Sequence, residues 1–289
     1  MDTVVASDLD GTLFYPKKRI GMITRKNRRF LRRFLEDHGT FVVVTSRGER
    51  LMHRLHKAIG YSFDFICNNG SYIVHDGTPI RDIPLDPSSF KALVQDLRDS
   101  YHPKIFLLNT KDRVICTSTD TKGFTNIVYF LYELAQGKYR EPVVRSDHVF
   151  YSEVEKGRAY KMMFLVGITP KKVAFAESLV PLLQKKYPQF EFAWVKQFIE
   201  VSPAGCSKAE GLGFYLENCG FRKDNVFVVG DSGNDVPMFD AFHKHSYCMA
   251  HSPDSVKARA AHVVRRVSDL EDVLYPSEDS KQTPKGKTK

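Results

Sequence analysis

The chain has 289 residues, of which 42% are hydrophobic and 12% aromatic, so it is long and apolar enough for one large or two medium-sized globular domains. This composition excludes a largely disordered chain, and no run of about 18 uninterrupted apolar residues predicts a membrane-spanning helix. The formal net charge of +9 favours anionic partners, a class that includes nucleic acid, acidic lipid and small phosphorylated compounds.

Part of the positive charge lies in local runs, at residues 17–19, 25–33 and 281–289. Such runs most often form a solvated face or a frayed terminus, so we expect no nucleic-acid partner and no membrane association. The cysteines are scattered and form no C-x-x-C pair, which predicts neither a disulfide framework nor a zinc site. These five residues are Cys67, Cys116, Cys206, Cys219 and Cys248. With no signal-peptide pattern at the N-terminus, we expect a cytoplasmic location.

The first 70 residues alternate short apolar runs with amphipathic segments. The apolar runs TVVASDL (3–9), TFVVVTS (40–46) and FDFICNN (63–69) predict strands. The segments 27–38 and 49–59 predict the helices between them. Continuous apolar strands are typical of sheets covered on both faces, so the pattern predicts a parallel sheet with crossover helices.

A different module follows a stretch at 72–87 that Gly77, Pro79, Pro84 and Pro87 interrupt, and which we interpret as a hinge or domain boundary. Helices are predicted at 88–101, 123–136 and 170–186, and strands at 104–110, 113–119, 159–168, 190–195 and 197–203. The first two of these strands predict a hairpin around Lys111 and Asp112. This mixture predicts an open sheet with helices on one face.

The first pattern resumes near residue 207, with helices predicted at 208–218 and 235–242 and strands at 225–231 and 246–250. The simplest topology is an α/β fold: a doubly wound, Rossmann-like parallel sheet core with an inserted α/β cap. We assign residues 1–82 and 203–276 to the core, 83–202 to the cap, and 277–289 to a disordered basic tail.

Polar side chains follow four of the predicted core strands. They are Asp8 and Asp10, then Thr45, Ser46 and Arg47, then Asn68, Asn69 and Gly70, and finally Asp231, Asn234 and Asp235. Ligands bind at the carboxyl ends of strands in an open parallel sheet. Carboxylates that converge there repel one another unless a cation holds them, and oxygen ligands without His or Cys favour Mg²⁺.

These residues resemble the four signatures of the haloacid dehalogenase-like phosphatases. The signatures match DLDGT (8–12), Thr45, Lys208 and GDSGND (230–235). The large insertion, with ICNNG (66–70) before it and VSPAGCSKAEGL (201–212) after it, resembles the Cof-like branch, whose cap is an α/β module.

The resemblance implies catalytic roles for four residues. Asp8 would attack phosphorus and form an aspartyl-phosphate, while Asp10 would protonate the leaving alkoxide and later deprotonate water. Thr45 and Lys208 would hold the phosphoryl oxygens.

The resemblance also implies a Mg²⁺ site. Asp8, the main-chain carbonyl of Asp10, and Asp231 would bind the ion, and Asn234 and Asp235 would complete or orient its shell.

Other residues keep two interpretations each. Ser46 stands where the family usually has glycine and is a candidate substrate-binding residue. The neighbouring Arg47, like Asn69 and Gly70, either binds substrate or has a structural role. His251 stands where the family often has asparagine; it is either a structural residue or one that alters substrate choice or pH dependence. Polar and aromatic groups on cap strands that could face the site are Lys161, Trp194, Lys196 and Glu200.

The sequence therefore predicts a Mg²⁺-dependent phosphatase of small phosphorylated metabolites, with sugar phosphates as the expected substrates and a monomer or homodimer as the expected state. One alternative is a phosphosugar mutase or phosphotransferase of the same superfamily. Another is a nucleic-acid-binding or regulatory protein on a phosphatase scaffold.

Overall fold

Two β-sheets of different topology organise the chain. The computed structural model describes residues 3–17, 21–118, 123–195 and 197–276. The predicted basic tail at 277–289, Lys196, and the charged residues Lys18 and Arg19 lie outside these ranges.

The described strands and helices follow one another along the whole chain. The strands are β1 (Val4–Ser7), β2 (Thr40–Val44), β3 (Asp64–Cys67), β4 (Tyr72–His75), β5 (Thr78–Asp82), β6 (Ile105–Asn109), β7 (Val114–Ser118), β8 (Val143–Arg145), β9 (Lys161–Leu165), β10 (Phe190–Val195), β11 (Phe198–Pro203), β12 (Val226–Gly230), β13 (Ser246–Met249) and β14 (His262–Val264). The helices are α1 (Arg25–Glu36), α2 (Met52–Ile59), α3 (Pro87–Tyr101), α4 (Phe124–Ala135), α5 (Asp147–Glu155), α6 (Pro170–Lys186), α7 (Lys208–Cys219), α8 (Val236–Ala241), α9 (Asp254–Lys257) and α10 (Glu271–Leu274).

The first sheet has eight strands in the order β14-β13-β12-β1-β2-β3-β4-β5. The strands from β14 to β3 are parallel, whereas β4 and β5 join antiparallel. Helices α1 and α2 pack on the face that carries Val5 and Val43, and α7 and α8 pack on the face that carries Ala6 and Val42. Both faces are therefore covered, as the continuous apolar runs predicted, and the α/β fold class with a doubly wound core is confirmed.

The stretch interpreted as a hinge contains structure that the sequence analysis missed. Strands β4 and β5 form a hairpin whose turn, Asp76 and Gly77, has positive φ at both residues (+47° and +74°). The strand β5 is at the edge of the sheet, where Pro79 is tolerated without a backbone N–H group. The interruption of the pattern by Gly77 and Pro79 thus marks a turn and an edge strand.

The second sheet has six strands in the order β10-β11-β9-β6-β7-β8, and only the β7–β8 pair is parallel. The predicted hairpin around Lys111 and Asp112 is confirmed by the antiparallel pairing of β6 with β7. The short strand β8 and the helix α5 were missed.

The prediction that helices cover only one face of this sheet was wrong. Helices α3, α5 and α6 pack on the face of Phe106 and Phe164. Helix α4 instead packs on the opposite face, where Tyr129 contacts the cluster of Leu107 and Cys116. This second face is apolar over most of its area, and its polar residues Asn109, Lys161 and Glu200 line the same cavity as Asp10 and Asp231 of the first sheet's loops.

The two sheets meet at the carboxyl ends of the parallel strands. Tyr139, just after α4, is buried in the apolar cluster of the first sheet, and its hydroxyl donates to the carbonyl oxygen of Met22 at 2.8 Å. On the other side, a Cβ atom at Gly233 would lie 2.7 Å from the carbonyl oxygen of Trp194 in β10. Within the described ranges, every helix is too short or too polar to span a lipid bilayer.

Candidate active site

Four loops at the carboxyl ends of β1, β2, β3 and β12 are tied together by main-chain hydrogen bonds. The amide of Asp8 donates to Val229 at 2.9 Å, and the amide of Asn69 donates to Thr45 at 3.1 Å. The structure thus brings the polar residues at these strand ends to one edge of the sheet.

The side chain of Lys208 joins two of these loops. Its ammonium donates to Asp8 Oδ1 at 2.7 Å and to Asp235 Oδ1 at 2.6 Å, and all three side chains are buried. Lys208 is the first residue of α7, and Ser207 caps this helix by accepting a hydrogen bond from the amide of Glu210. Burial lowers the pKa of Lys208, but the charges of Asp235 and Asp8 outweigh it and raise this pKa, so the ammonium remains charged.

Asp8, Asp231 and Asp235 form a buried acidic cluster. One carboxylate oxygen from each lies within 4.8 Å of the others. Burial raises the pKa of Asp8, and the charges of Asp235 and Asp231 raise it further against the opposing effect of Lys208. When all four groups are ionised, the three carboxylates and Lys208 leave two negative charges uncompensated.

This donor set fits a divalent hard cation such as Mg²⁺, because it offers carboxylate oxygens and an excess of negative charge. Asp8 and Asp231 are the side chains that could hold it. Both oxygens of Asp235 are already engaged: Oδ1 accepts from Lys208, and Oδ2 accepts from the amides of Asp231 (2.9 Å) and Ser232 (3.0 Å). Asp235 therefore orients the loop that carries Asp231.

The DLDGT turn comes very close to Asp231. Gly11 has φ +81°, and a Cβ atom there would lie 2.2 Å from Asp231 Oδ2. Thr12 Oγ1 donates to Asp231 Oδ1 at 3.2 Å. Glycine is required at this position both for the backbone conformation and for the space.

The carboxylate of Asp10 is held by Arg47 and not by the acidic cluster. Arg47 Nη2 donates to Asp10 Oδ1 at 2.9 Å, and Arg47 Nε donates to Oδ2. Burial raises the pKa of Asp10, but the guanidinium of Arg47 outweighs it and lowers this pKa. Arg47 also donates to the carbonyl oxygen of Tyr139 at 2.8 Å and to Glu141 Oε2 at 3.2 Å, so it connects Asp10 to the segment after α4.

The other residues of the β2 and β3 loops have distinct environments. Thr45 is buried, and its Oγ1 accepts from the amide of Arg47 at 3.2 Å. Ser46 lines the cavity above the acidic cluster. Asn69 is buried with its Oδ1 unpartnered among the described residues. A Cβ atom at Gly70 (φ +92°) would lie 2.7 Å from the carbonyl oxygen of Ser207, so this glycine allows the loop to pack on the start of α7.

The second sheet contributes a buried ion pair to the site. Lys161 Nζ lies 2.6 Å from Glu200 Oε1, and both side chains are at most 2% exposed. Glu200 Oε2 accepts hydrogen bonds from Asn69 Nδ2 at 2.8 Å and from Asn234 Nδ2 at 3.2 Å. Asn234 is thereby occupied with Glu200, and its Oδ1 accepts from Ser232 at 2.8 Å.

The two remaining candidates lie at the sides of the site. Trp194 packs against the apolar cluster of the second sheet. The ring of His251 stacks on Tyr15 with centroids 3.8 Å apart, and its Nε2 is 3.9 Å from Asp231 Oδ2. Lys196, also named from the sequence, lies outside the described residues.

A cavity of about 790 Å³ separates the acidic cluster from the second sheet. Several residues that line this cavity were not predicted from the sequence, namely Asn109, Tyr129, Tyr132, Glu133, Glu141, Met163 and Phe198. Asn109 had a usable signal, because it is a polar residue at the end of an apolar strand. The residues of α4 had none, because the position of this helix depends on packing between distant parts of the chain.

The chain is similar in sequence and in fold to known proteins. The family model for haloacid dehalogenase-like hydrolases matches residues 5–275. Pyridoxal phosphate phosphatase YbhA of Escherichia coli (strain K12) is 24% identical over 277 residues, which cover 90% of this chain and 92% of YbhA. The 5-amino-6-(5-phospho-D-ribitylamino)uracil phosphatase YcsE of Bacillus subtilis (strain 168) is 24% identical over 262 residues, which cover 90% of this chain and 88% of YcsE. The solved structure of the subclass IIB sugar phosphatase BT4131 superposes with a TM-score of 0.71 at 17% identity, covering 94% of this chain and 98% of BT4131.

Proposed function

Because this chain belongs to the haloacid dehalogenase-like hydrolase family, we propose that it is a Mg²⁺-dependent phosphatase that hydrolyses small phosphorylated metabolites through an aspartyl-phosphate on Asp8. The phosphatase activities of YbhA and YcsE support the enzyme class. The arrangement of Asp8, Lys208 and Asp231 supports the mechanism.

In the first step a carboxylate oxygen of Asp8 attacks phosphorus. A bond forms between Asp8 and phosphorus, the bond from phosphorus to the ester oxygen breaks, and Asp10 gives its proton to the departing alkoxide. The ion pair between Arg47 and Asp10 favours the ionised form of Asp10, so Arg47 has to release this carboxyl group before it can carry a proton.

In the second step water attacks the phosphorus of the aspartyl-phosphate. Asp10, now ionised, takes a proton from the water, a new oxygen–phosphorus bond forms, and the bond to Asp8 breaks. Inorganic phosphate and the free carboxylate of Asp8 result, and Asp10 is again protonated.

Positive charge at the site supports both steps. Lys208, which contacts Asp8, and the hydroxyl of the buried Thr45 are the groups proposed to hold phosphoryl oxygens. Asp8, Asp231 and the main-chain carbonyl of Asp10 are the proposed Mg²⁺ ligands, and Asn234 and Asp235 orient them. When bound, the ion would reduce the repulsion between the Asp8 carboxylate and an anionic phosphate ester.

We further propose that the second sheet acts as a cap on this site. The proposed core is 1–82 with 203–276, and the proposed cap is 83–202. Enclosure by the cap would exclude bulk water during phosphoryl transfer. A monomer or homodimer in the cytoplasm is part of the same proposal; in the described part of the chain all five cysteines are unpaired, in keeping with a reducing compartment.

One observation carries this proposal: a single buried ammonium contacts Asp8 and Asp235, next to a third carboxylate at metal-binding distance. The experiment that tests it measures phosphate release from sugar phosphates, nucleotides, pyridoxal phosphate and an aryl phosphate, with Mg²⁺ and with a chelator. Wild type and Asp8→Asn are compared.

Release that requires Mg²⁺ and disappears in Asp8→Asn is the expected result. Full turnover by Asp8→Asn would contradict the nucleophile assignment. If phosphate passed to a second sugar instead of to water, the protein would be a phosphotransferase with the same intermediate.

A further inference from the structure

The cavity above Asp8 is much larger than a phosphoryl group needs, so its walls have to recognise the leaving group. Its volume of about 790 Å³ lies in the range of about 300–1,000 Å³ that is usual for small-molecule sites. The proposed reaction takes place at its floor, where Asp10 and Asp231 line it.

Aromatic rings form the walls on two sides. On the α4 side, the rings of Tyr129 and Tyr132 lie with their centroids 6.1 Å apart. Tyr132 is 55% exposed, and part of its side chain lines the cavity that Asp10 also lines. On the opposite side, Tyr15 stacks on His251.

The second sheet forms one wall of the cavity, which we call the roof. The side chains of this roof that are not already hydrogen-bonded are largely apolar. Met163 and Phe198 lie on the face of the sheet that is turned toward the site, and both line the cavity. Thioether and aromatic side chains make favourable contacts with the faces and edges of unsaturated rings.

The charged groups around the cavity are mostly paired with one another. Lys161 is bound to Glu200, Arg47 is bound to Asp10 and Glu141, and Glu133 Oε2 accepts from the amide of Glu141 at 3.3 Å. A polyol would compete with these existing bonds for the same groups, whereas the face of an unsaturated ring needs no hydrogen-bond partner.

Asn109 is the exception on the roof. It is 3% exposed, it lines the cavity, and its Oδ1 is buried without a partner among the described residues. This oxygen needs a hydrogen-bond donor, and a donor at the edge of a bound ring would supply it.

From this arrangement we infer that the leaving group of the natural substrate carries a flat unsaturated ring, and that Tyr132 and Phe198 select for it. The inference rests on the proposed phosphatase function and specifies its substrate class. The ring lies between the tyrosines of α4 and the roof, with a donor at its edge directed to Asn109 Oδ1.

The test compares kcat/KM for benzyl phosphate, cyclohexylmethyl phosphate and glucose 6-phosphate. The first two release primary alcohols of similar size, so they differ mainly in whether the ring is flat and unsaturated. Each is measured with wild type, Tyr132→Leu, Phe198→Leu and the control Leu131→Ala, whose side chain is 57% exposed and does not line the cavity. Thermal unfolding verifies that every variant is folded.

We expect wild type and Leu131→Ala to prefer benzyl over cyclohexylmethyl phosphate by about 3- to 10-fold, the range given by an aromatic pair. Tyr132→Leu and Phe198→Leu reduce this ratio toward one, because they lower kcat/KM more for benzyl phosphate than for cyclohexylmethyl phosphate. Equal rates for the two esters in wild type, or a preference for glucose 6-phosphate, would overturn the inference while the phosphatase function stands. If none of the three esters were hydrolysed in the presence of Mg²⁺, the result would contradict both the inference and the proposed phosphatase function.

Discussion

Glu200 Oε2, on β11, accepts a hydrogen bond at 3.2 Å from the side-chain Nδ2 of Asn234, a residue of the loop that carries the proposed metal ligand Asp231. The same carboxylate is paired with Lys161. A side chain of the second sheet is therefore bonded directly to a loop of the proposed active site in the first sheet. Its charge is balanced by Lys161 of its own sheet.

Glu200→Gln should destabilise the protein by about 3–5 kcal/mol, because it leaves the buried ammonium of Lys161 without its counter-charge. The double variant Lys161→Met/Glu200→Gln should recover part of this loss. The free energy of unfolding in urea measures both effects.

The exposed pair of Lys91 and Glu155 is the matched control. Glu155→Gln should lower the free energy of unfolding by less than about 1 kcal/mol. A loss in Glu200→Gln no larger than in this control would contradict the prediction that the buried pair of Lys161 and Glu200 stabilises the protein.

Gly11→Ala should reduce turnover by orders of magnitude, because the added Cβ atom would lie 2.2 Å from Asp231 Oδ2 and displace that carboxylate. Gly77→Ala is the control for backbone strain, since Gly77 also has positive φ (+74°) but no atom within 4 Å of the added Cβ. We expect Gly77→Ala to cost about 1–2 kcal/mol of stability and to keep full activity. Similar kcat values for the two variants would argue against a catalytic role for the contact between Gly11 and Asp231.

Lys208→Met should lower kcat by about 100- to 1,000-fold, since it removes the ammonium that contacts Asp8 and is placed to stabilise the transition state. The surface variant Lys223→Met serves as control and should match wild type. Steady-state kinetics with an aryl phosphate measures the difference. An unchanged kcat in Lys208→Met would mean that this residue has only a structural role.

The hairpin β4–β5 carries a pH-dependent contact outside the site. His75 Nδ1 lies 2.7 Å from Asp64 Oδ2, and this hydrogen bond raises the pKa of His75 above its usual value of about 6.5. Because the folded-state pKa is the higher one, the stabilisation is complete below about pH 6.5 and is lost as the pH rises through the folded-state pKa. The stability difference between wild type and His75→Gln should therefore shrink from pH 5.5 to 8.5 in urea titrations; a constant difference would contradict this.

A structural feature could be predicted from the sequence when the residues that indicate it are neighbours along the chain. The apolar runs of β1 and β12 and the polar residues directly after them were sufficient to predict the parallel core and the convergence of its loops. The hairpin β4–β5 was missed because the turn residues Asp76 and Gly77 and the edge position of Pro79 also occur in interdomain segments.

Contacts between distant segments were beyond such reasoning. Arg47 was recognised as a candidate, but its bonds to Tyr139 and Glu141 depend on how the segment after α4 packs, more than 90 residues away. Lys161 and Glu200 could be named only as polar residues on apolar strands. Their ion pair, and the partners of Glu200 in the β3 and β12 loops, are set by the tertiary fold.

Covalent phosphorylation of Asp8 is the step on which the proposed mechanism depends. Its most direct test is a single-turnover reaction of excess enzyme with Mg²⁺ and a phosphate-labelled aryl phosphate, quenched in acid within the first turnover and followed by mass spectrometry of the peptides. We expect a labelled phosphoryl group on the peptide that contains Asp8, and no such label in Asp8→Asn. Rapid phosphate release with the label on another residue, or on none, would contradict it.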